Sequence, residues 1–180
     1  MIRIDIKDIQ QHIGSNIGTS KWVEITQSRV NRFAEATGNF QWIHVDEERA
    51  KTEMPSGQTI IHNYLLLSLI PQLFDQIVTI AGLKYGKNQG AENIRFLRSL
   101  NTGCKIRIRL KLSKVEYRDS QGPTANFYIV MEEQGSDKAV LTMDLQLLLV
   151  AALQKDEKEN EKTTLKAVSS DQHQPLALGL

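Results

Sequence analysis

The stretch CKIRIRLKLSKVEY, beginning at Cys104, alternates apolar and charged residues so regularly that a strand is the one regular conformation that sorts them. Successive side chains on a strand point to opposite faces, so Ile106, Ile108, Leu110 and Leu112 line one side while Lys105, Arg107, Arg109 and Lys111 line the other. A helix would scatter both sets around its circumference. Companion strands are legible downstream. The chain turns at DSQGP, enters TANFYIVMEEQ, turns again at GSDK and finishes in AVLTMDLQLLLVAAL, giving three long strands in meander. Two shorter strands, near GLKYG and AENIRFL, precede them, and WVEIT adds a brief one. Upstream, TIIHNYLLLSLIPQLFDQIV, from Thr59 to about Val78, is apolar nearly all round, which predicts a long helix buried on most sides, kinked or interrupted at Pro71. The expected class is α+β, an antiparallel sheet of five or six strands wrapped around one long central helix.

The remaining segments attach to this frame. Ile6, Ile9 and Ile13 recur at helical spacing before Gly14, predicting a short packing helix, and SNIGTSK reads as a polar loop. Thr26 is placed to cap a helix presenting Val30, Phe33 and Ala34, which should stop at Gly38. Asp46 can cap a further short helix through EERAK, and MPSG then breaks the chain. After Leu153 the sequence becomes QKDEKENEKTTLKAVSSDQHQPLALGL, with no sustained apolar period. Residues 1–153 are therefore expected to form one domain, and 154–180 a polar tail unable to offset its own ordering entropy.

Charge narrows the function classes. Of 180 residues, 22 are basic and 21 acidic, a net charge of +1, so no global field recruits nucleic acid or an anionic membrane. The basic stripe of the alternating strand lacks interleaved aromatics and reads as a solvated face, with phosphate contact from one or two of its residues left open. The single cysteine, Cys104, forms no intramolecular disulfide and is expected to be a buried, inert thiol in a reducing cytosol. The N-terminal MIRIDIKDIQQHIG lacks the apolar core of a signal peptide, and YLLLSLI falls far short of the ~20 residues a membrane span needs. A soluble, cytoplasmic protein is expected. There is no HExxH, CxxC, GxSxG, Walker loop or dinucleotide fingerprint, so neither a metal site nor a nucleotide cofactor is expected.

Chemistry concentrates in ATGNFQWIHVDEE, Ala36 to Glu48, where His44 is the best acid-base candidate. An imidazole working as a base needs a group to orient and assist it, and the nearby position suited to a carboxylate holds Asn39. FAEATGNFQWIHVDEERA, Phe33 to Ala50, followed by SGQTIIHNYLLLSLIP, Ser56 to Pro71, resembles the hydratase motif of the MaoC-like dehydratases, nearest to the nodulation protein N branch. TG, IHVD and GxxIxH occur in the family's order and spacing, and NIRFLRSLNTGCKIR resembles its strand entering the sheet. The likeness covers about Ile6 to Val150.

The resemblance implies a hotdog fold, a homodimer and a thioester substrate carried on coenzyme A or an acyl carrier protein, with no further cofactor. It implies that His44 and the residue at position 39 act on the water that adds to an enoyl thioester or leaves a 3-hydroxyacyl thioester. His62 precedes the amide that would stabilise the enolate, Asn63 supplies that amide, and Gly57 opens the second motif. Gln41 and Trp42 stand where the wider family often has Asn and Pro; Trp42 reads as core or pocket wall. Two departures bear on activity: Asn39 replaces the family's aspartate and cannot ionise, and Asn63 replaces its glycine. An enzyme with His44 acting largely alone and a non-catalytic module binding acyl thioesters or a carrier protein are the two readings that follow. A thioesterase ranks last, because Asn63 to Ile70 contains no carboxylate.

Overall fold

The computed structural model describes residues 1–119 and 122–152; the expected tail lies outside the described residues. The alternating stretch is one strand, and its apolar residues are the floor of the core. In chain order the elements are β1 (Ile2–Asp5), a 3₁₀ helix (Ile6–His12), β2 (Asn16–Thr19), β3 (Val23–Glu24), α1 (Gln27–Thr37), α2 (Trp42–Val45), α3 (Glu47–Glu53), α4 (Asn63–Ser68), α5 (Ile70–Phe74), β4 (Val78–Ala81), β5 (Leu83–Phe96), β6 (Lys105–Asp119), β7 (Gly122–Glu133) and β8 (Ala139–Ala151). A six-stranded sheet runs β2-β6-β7-β8-β5, with β3 continuing along β6 beyond β2, and every pairing in it is antiparallel. β1 and β4 form a separate parallel pair.

On β6, Ile106, Ile108, Leu110 and Leu112 are buried, as the alternation requires. Phe127, Ile129 and Met131 of β7 and Leu141, Met143 and Leu145 of β8 extend the same dry face. Leu65, Leu66, Leu69, Ile70 and Leu73 of the helical layer belong to the same cluster. Phe74 meets Phe127 edge to face at 5.0 Å, a preferred geometry for aromatic rings. The charged side is solvated and internally paired: Arg107 and Arg109 both reach Glu132, at 2.9 and 2.7 Å, and the Arg107 guanidinium lies over the Trp22 ring.

The central helix is shorter than its apolar sequence suggests. It begins at Asn63, not Thr59, and ends at Phe74, not Val78. Its two segments join through Leu69, which keeps helical angles and bonds back to the carbonyls of Leu65 and Leu66. Pro71 has no N–H to give to Leu67 and sits in the first turn of α5, where none is needed. Thr59 to Ile61 are extended: Ile60 bridges Asn101, and the Ile61 N–H donates to the Leu100 carbonyl. An all-round apolar run reports burial, and buried extended backbone carries the same signature as buried helix.

Two further differences concern strands. GLKYG and AENIRFL are parts of a single strand, β5, whose pairing with β8 is interrupted by three register shifts. SNIGTSK contains β2, fixed by its pairing to β6. Where the chain steps from β2 to β3, buried Ser20 preserves the ladder: its N–H donates to the Ile108 carbonyl and its hydroxyl oxygen accepts from the Ile108 N–H.

Candidate active site

Two chain segments build the site by converging from opposite sides. α1 starts on the Thr26 cap and stops at Gly38, whose φ of 72° is a conformation glycine adopts at little cost. The next residues, Asn39 to Gln41, cross to α2, a one-turn helix that carries His44 inward. The second segment is the extended Thr59–Ile61 followed by His62, which caps α4. The two are tied by their backbones, with the Ile60 N–H donating to the Ile43 carbonyl at 2.9 Å.

His44 and His62 are 8% and 2% exposed, and their rings stack with centroids 3.8 Å apart. Phe33 packs against His62 at 5.2 Å. His44 Nδ1 lies 2.7 Å from the Ile60 carbonyl oxygen and His62 Nε2 lies 3.0 Å from that of Asn39. A carbonyl oxygen only accepts, so each of these nitrogens carries its hydrogen. That leaves the His44 lone pair on Nε2, while His62 Nδ1 is without a partner among the described residues. Burial lowers the His44 pKa below its ordinary 6.5; the Ile60 bond opposes this and the neighbouring His62 adds to it. His44 is therefore a neutral imidazole at physiological pH, with a fixed tautomer and a basic Nε2.

The sequence candidates do not all come together. His62 contacts both the His44 ring, by stacking, and the Asn39 carbonyl, and half-buried Asn63 begins α4 immediately after His62. Gln41 supports α2 through its backbone, its carbonyl accepting from the His44 N–H at 2.9 Å, while its side chain is exposed. Trp42 is half-buried and covered by the Arg49 guanidinium 4.1 Å from its ring, a cation–π contact. Gly57 lies elsewhere: with Gln27, Thr59 and Thr102 it lines a polar cavity of about 430 Å³ that includes neither histidine.

Sequence reasoning missed Gln27, Thr59 and Thr102. Gln27 Nε2 donates to the His44 carbonyl at 2.7 Å and to Asn31 Oδ1 at 2.8 Å, and its Oε1 accepts from Thr59 Oγ1 at 2.5 Å. Thr102 completes the group 2.6 Å from Thr59 Oγ1. Nothing in their spacing announces this, because the contacts join Gln27 to Thr59, 32 positions further along the chain, and Thr59 to Thr102, 43 positions beyond that. Burial and, secondarily, Glu133 push the Cys104 thiol up to about 11, so the half-buried cysteine carries little thiolate. Among the described residues no three His, Cys, Asp or Glu side chains gather as a metal site, and no helix is long and apolar enough to cross a membrane.

A two-part helix packed on the dry face of an antiparallel sheet, with a histidine carried in from the segment before that helix, is a hotdog domain. Residues 8–133 match the MaoC like domain model, and the chain belongs to the MaoC-like family. It is 39% identical over 133 residues to 3-hydroxyacyl-thioester dehydratase Z of Mycobacterium tuberculosis, covering 74% of this chain and 87% of that one. It is 32% identical over 143 residues to nodulation protein N of Rhizobium leguminosarum bv. viciae, covering 79% and 89%. Among solved structures, an R-hydratase of Pseudomonas aeruginosa in its unliganded form aligns with TM-score 0.63 at 15% identity, over 93% of this chain and 92% of that one.

Proposed function

We propose that this protein is an enoyl-thioester hydratase, or in the reverse direction a 3-hydroxyacyl-thioester dehydratase, with His44 as its acid-base group. The observation that carries the reading is the buried His44 imidazole, its Nδ1–H spent on the Ile60 carbonyl and its pKa lowered, which leaves Nε2 as a base. In hydration, Nε2 takes a proton from water, and the water oxygen bonds to C3 of a trans-2-enoyl thioester. The C2–C3 π pair moves toward the thioester oxygen, and the imidazolium then gives its proton to C2. The first backbone bonds recorded from α4 run from Leu65 and Leu66 to the His62 carbonyl, which leaves the amides at its start for the enolate oxygen; Asn63 would supply one. Coenzyme A or the phosphopantetheine of an acyl carrier protein enters as part of the substrate, and no resident cofactor is needed.

The assembly is a homodimer in this reading. β5 forms one end of the sheet order, and Tyr85 and Leu97, on and just after it, are exposed. Lys84, Lys87 and the three register shifts discourage indiscriminate edge pairing and favour one symmetric partner. Sedimentation at micromolar concentration should give the dimer mass; a monomer alone would overturn this.

Asn39 supports a second reading, a module that binds acyl thioesters or a carrier protein without turning them over. Incubation with enoyl and 3-hydroxyacyl thioesters on both carriers, following enoyl absorbance, separates the two. Turnover that falls by roughly 10² or more in His44→Ala supports the enzyme. Binding without turnover supports the module, and turnover indifferent to His44→Ala removes His44 from the chemistry.

A further inference from the structure

We propose that Gln27 is a positioning residue for His44, a role that rests on the acid-base reading of His44. The orientation of its amide is determined by what surrounds it. Nε2 faces the His44 carbonyl, which cannot donate, so the opposite flip would set oxygen against oxygen. Both amide hydrogens are then committed, to the His44 carbonyl and Asn31 Oδ1, and Oε1 receives the Thr59 hydroxyl proton. With that proton used, the Thr102 hydroxyl is the donor across the Thr59–Thr102 pair, and it also lies 3.2 Å from the Thr59 carbonyl. The Thr102 N–H holds that same carbonyl at 3.0 Å.

The consequence is geometric. His44 is reached by two arms: its backbone carbonyl by Gln27 directly, and its ring by the Ile60 carbonyl, one residue from Thr59. Gln27 grips both arms through the two ends of one planar amide. Together with the Ile60 N–H bond to the Ile43 carbonyl, it sets the distance between α2 and the Thr59–Ile60 segment on which the Nδ1–H bond depends. If that distance opens, the ring loses the acceptor that selects its tautomer, and hydrogen on Nε2 would remove the base. Thr59 is 2% exposed, so a partner lost here is not readily replaced by bulk water.

The test uses the full chain with isotope-labelled histidine, reading imidazole nitrogen shifts at about pH 7.5, where the His44 ring is assigned among the four histidines by comparison with His44→Ala. The parent should show His44 with its hydrogen on Nδ1. Gln27→Met keeps the side-chain length and removes every hydrogen bond. It should give a mixture with hydrogen on Nε2 and lower kcat by about tenfold while KM changes by less than about twofold. Thr59→Ser keeps the hydroxyl and should behave as the parent. A folded Gln27→Met protein with an unaltered Nδ1–H signal overturns the proposal. If Gln27→Met does not fold, Gln27→Glu, which keeps the acceptor and loses the donor, is read the same way. A tautomer shift in a protein that turns over no thioester would sustain the positioning role and defeat the catalytic reading of His44.

Discussion

The dry face of the sheet and the stacked histidines are held by different physics. Across β6, β7 and β8 the contacts are apolar and many, and a side chain there contributes through the area it buries. Around His44 the contacts are few and directional: an Ile60 carbonyl, an Asn39 carbonyl, a glutamine amide and two threonine hydroxyls. The first region can lose shape and still be a sheet. The second can keep its fold and lose its chemistry through a shift of one bond.

Substitutions should separate the two. The largest expected effect on stability is Phe127→Ala, which deletes a ring that is 1% exposed and packed on Phe74. It should cost about 3–5 kcal/mol in denaturant unfolding and leave turnover per folded molecule near that of the parent. Lost turnover with unchanged stability would show that the two regions are coupled. Asn39→Asp should do the reverse. A carboxylate in the segment contacted by His62 supplies the ionisable group that Asn39 lacks, and turnover of a short enoyl thioester should rise at least about tenfold, which requires only ~1.4 kcal/mol of transition-state stabilisation. A folded variant that binds thioester and shows no rise would place the obstacle elsewhere, with Asn63 next.

The smallest effect is a pH dependence. Because the folded pKa of His44 lies below its ordinary 6.5, the unfolded chain takes up a proton more readily than the folded one. Stability from this residue is present above 6.5 and declines as pH falls through that value toward the folded pKa. Melting temperatures measured near neutrality and near pH ~5 should fall more steeply for the parent than for His44→Gln. Equal declines would show that another group dominates.

What was legible in the sequence follows the same division. Alternation gave β6 its conformation and its dry face residue by residue, because a half-wet strand leaves its burial pattern in the letters. The order of later strands followed from turns between them. β1 and β2 left no comparable trace: each is four residues long, and their partners lie far along the chain, at Val78–Ala81 and on β6. β5 looked like two strands because, on an exposed edge, it need not alternate cleanly. At the site, the His44 and His62 segments were readable as motifs, and the structure stacks the two rings. Gln27 was invisible for a physical reason: it looks like any polar residue opening a helix until Thr59 and His44 are brought to it.

The join between Thr59–Ile61 and Leu100–Thr102 also has a temporal side. During synthesis the segment carrying both histidines leaves the ribosome well before the residues that clamp it, since Ile61 bonds to Leu100, Thr59 to Thr102 and Ile25 to Cys104 and Gly103. The site has no framework until those later residues have been made. The nascent chain thus carries an unassembled site for the time needed to add some forty residues, a few seconds at ordinary elongation rates of about 5–20 residues per second.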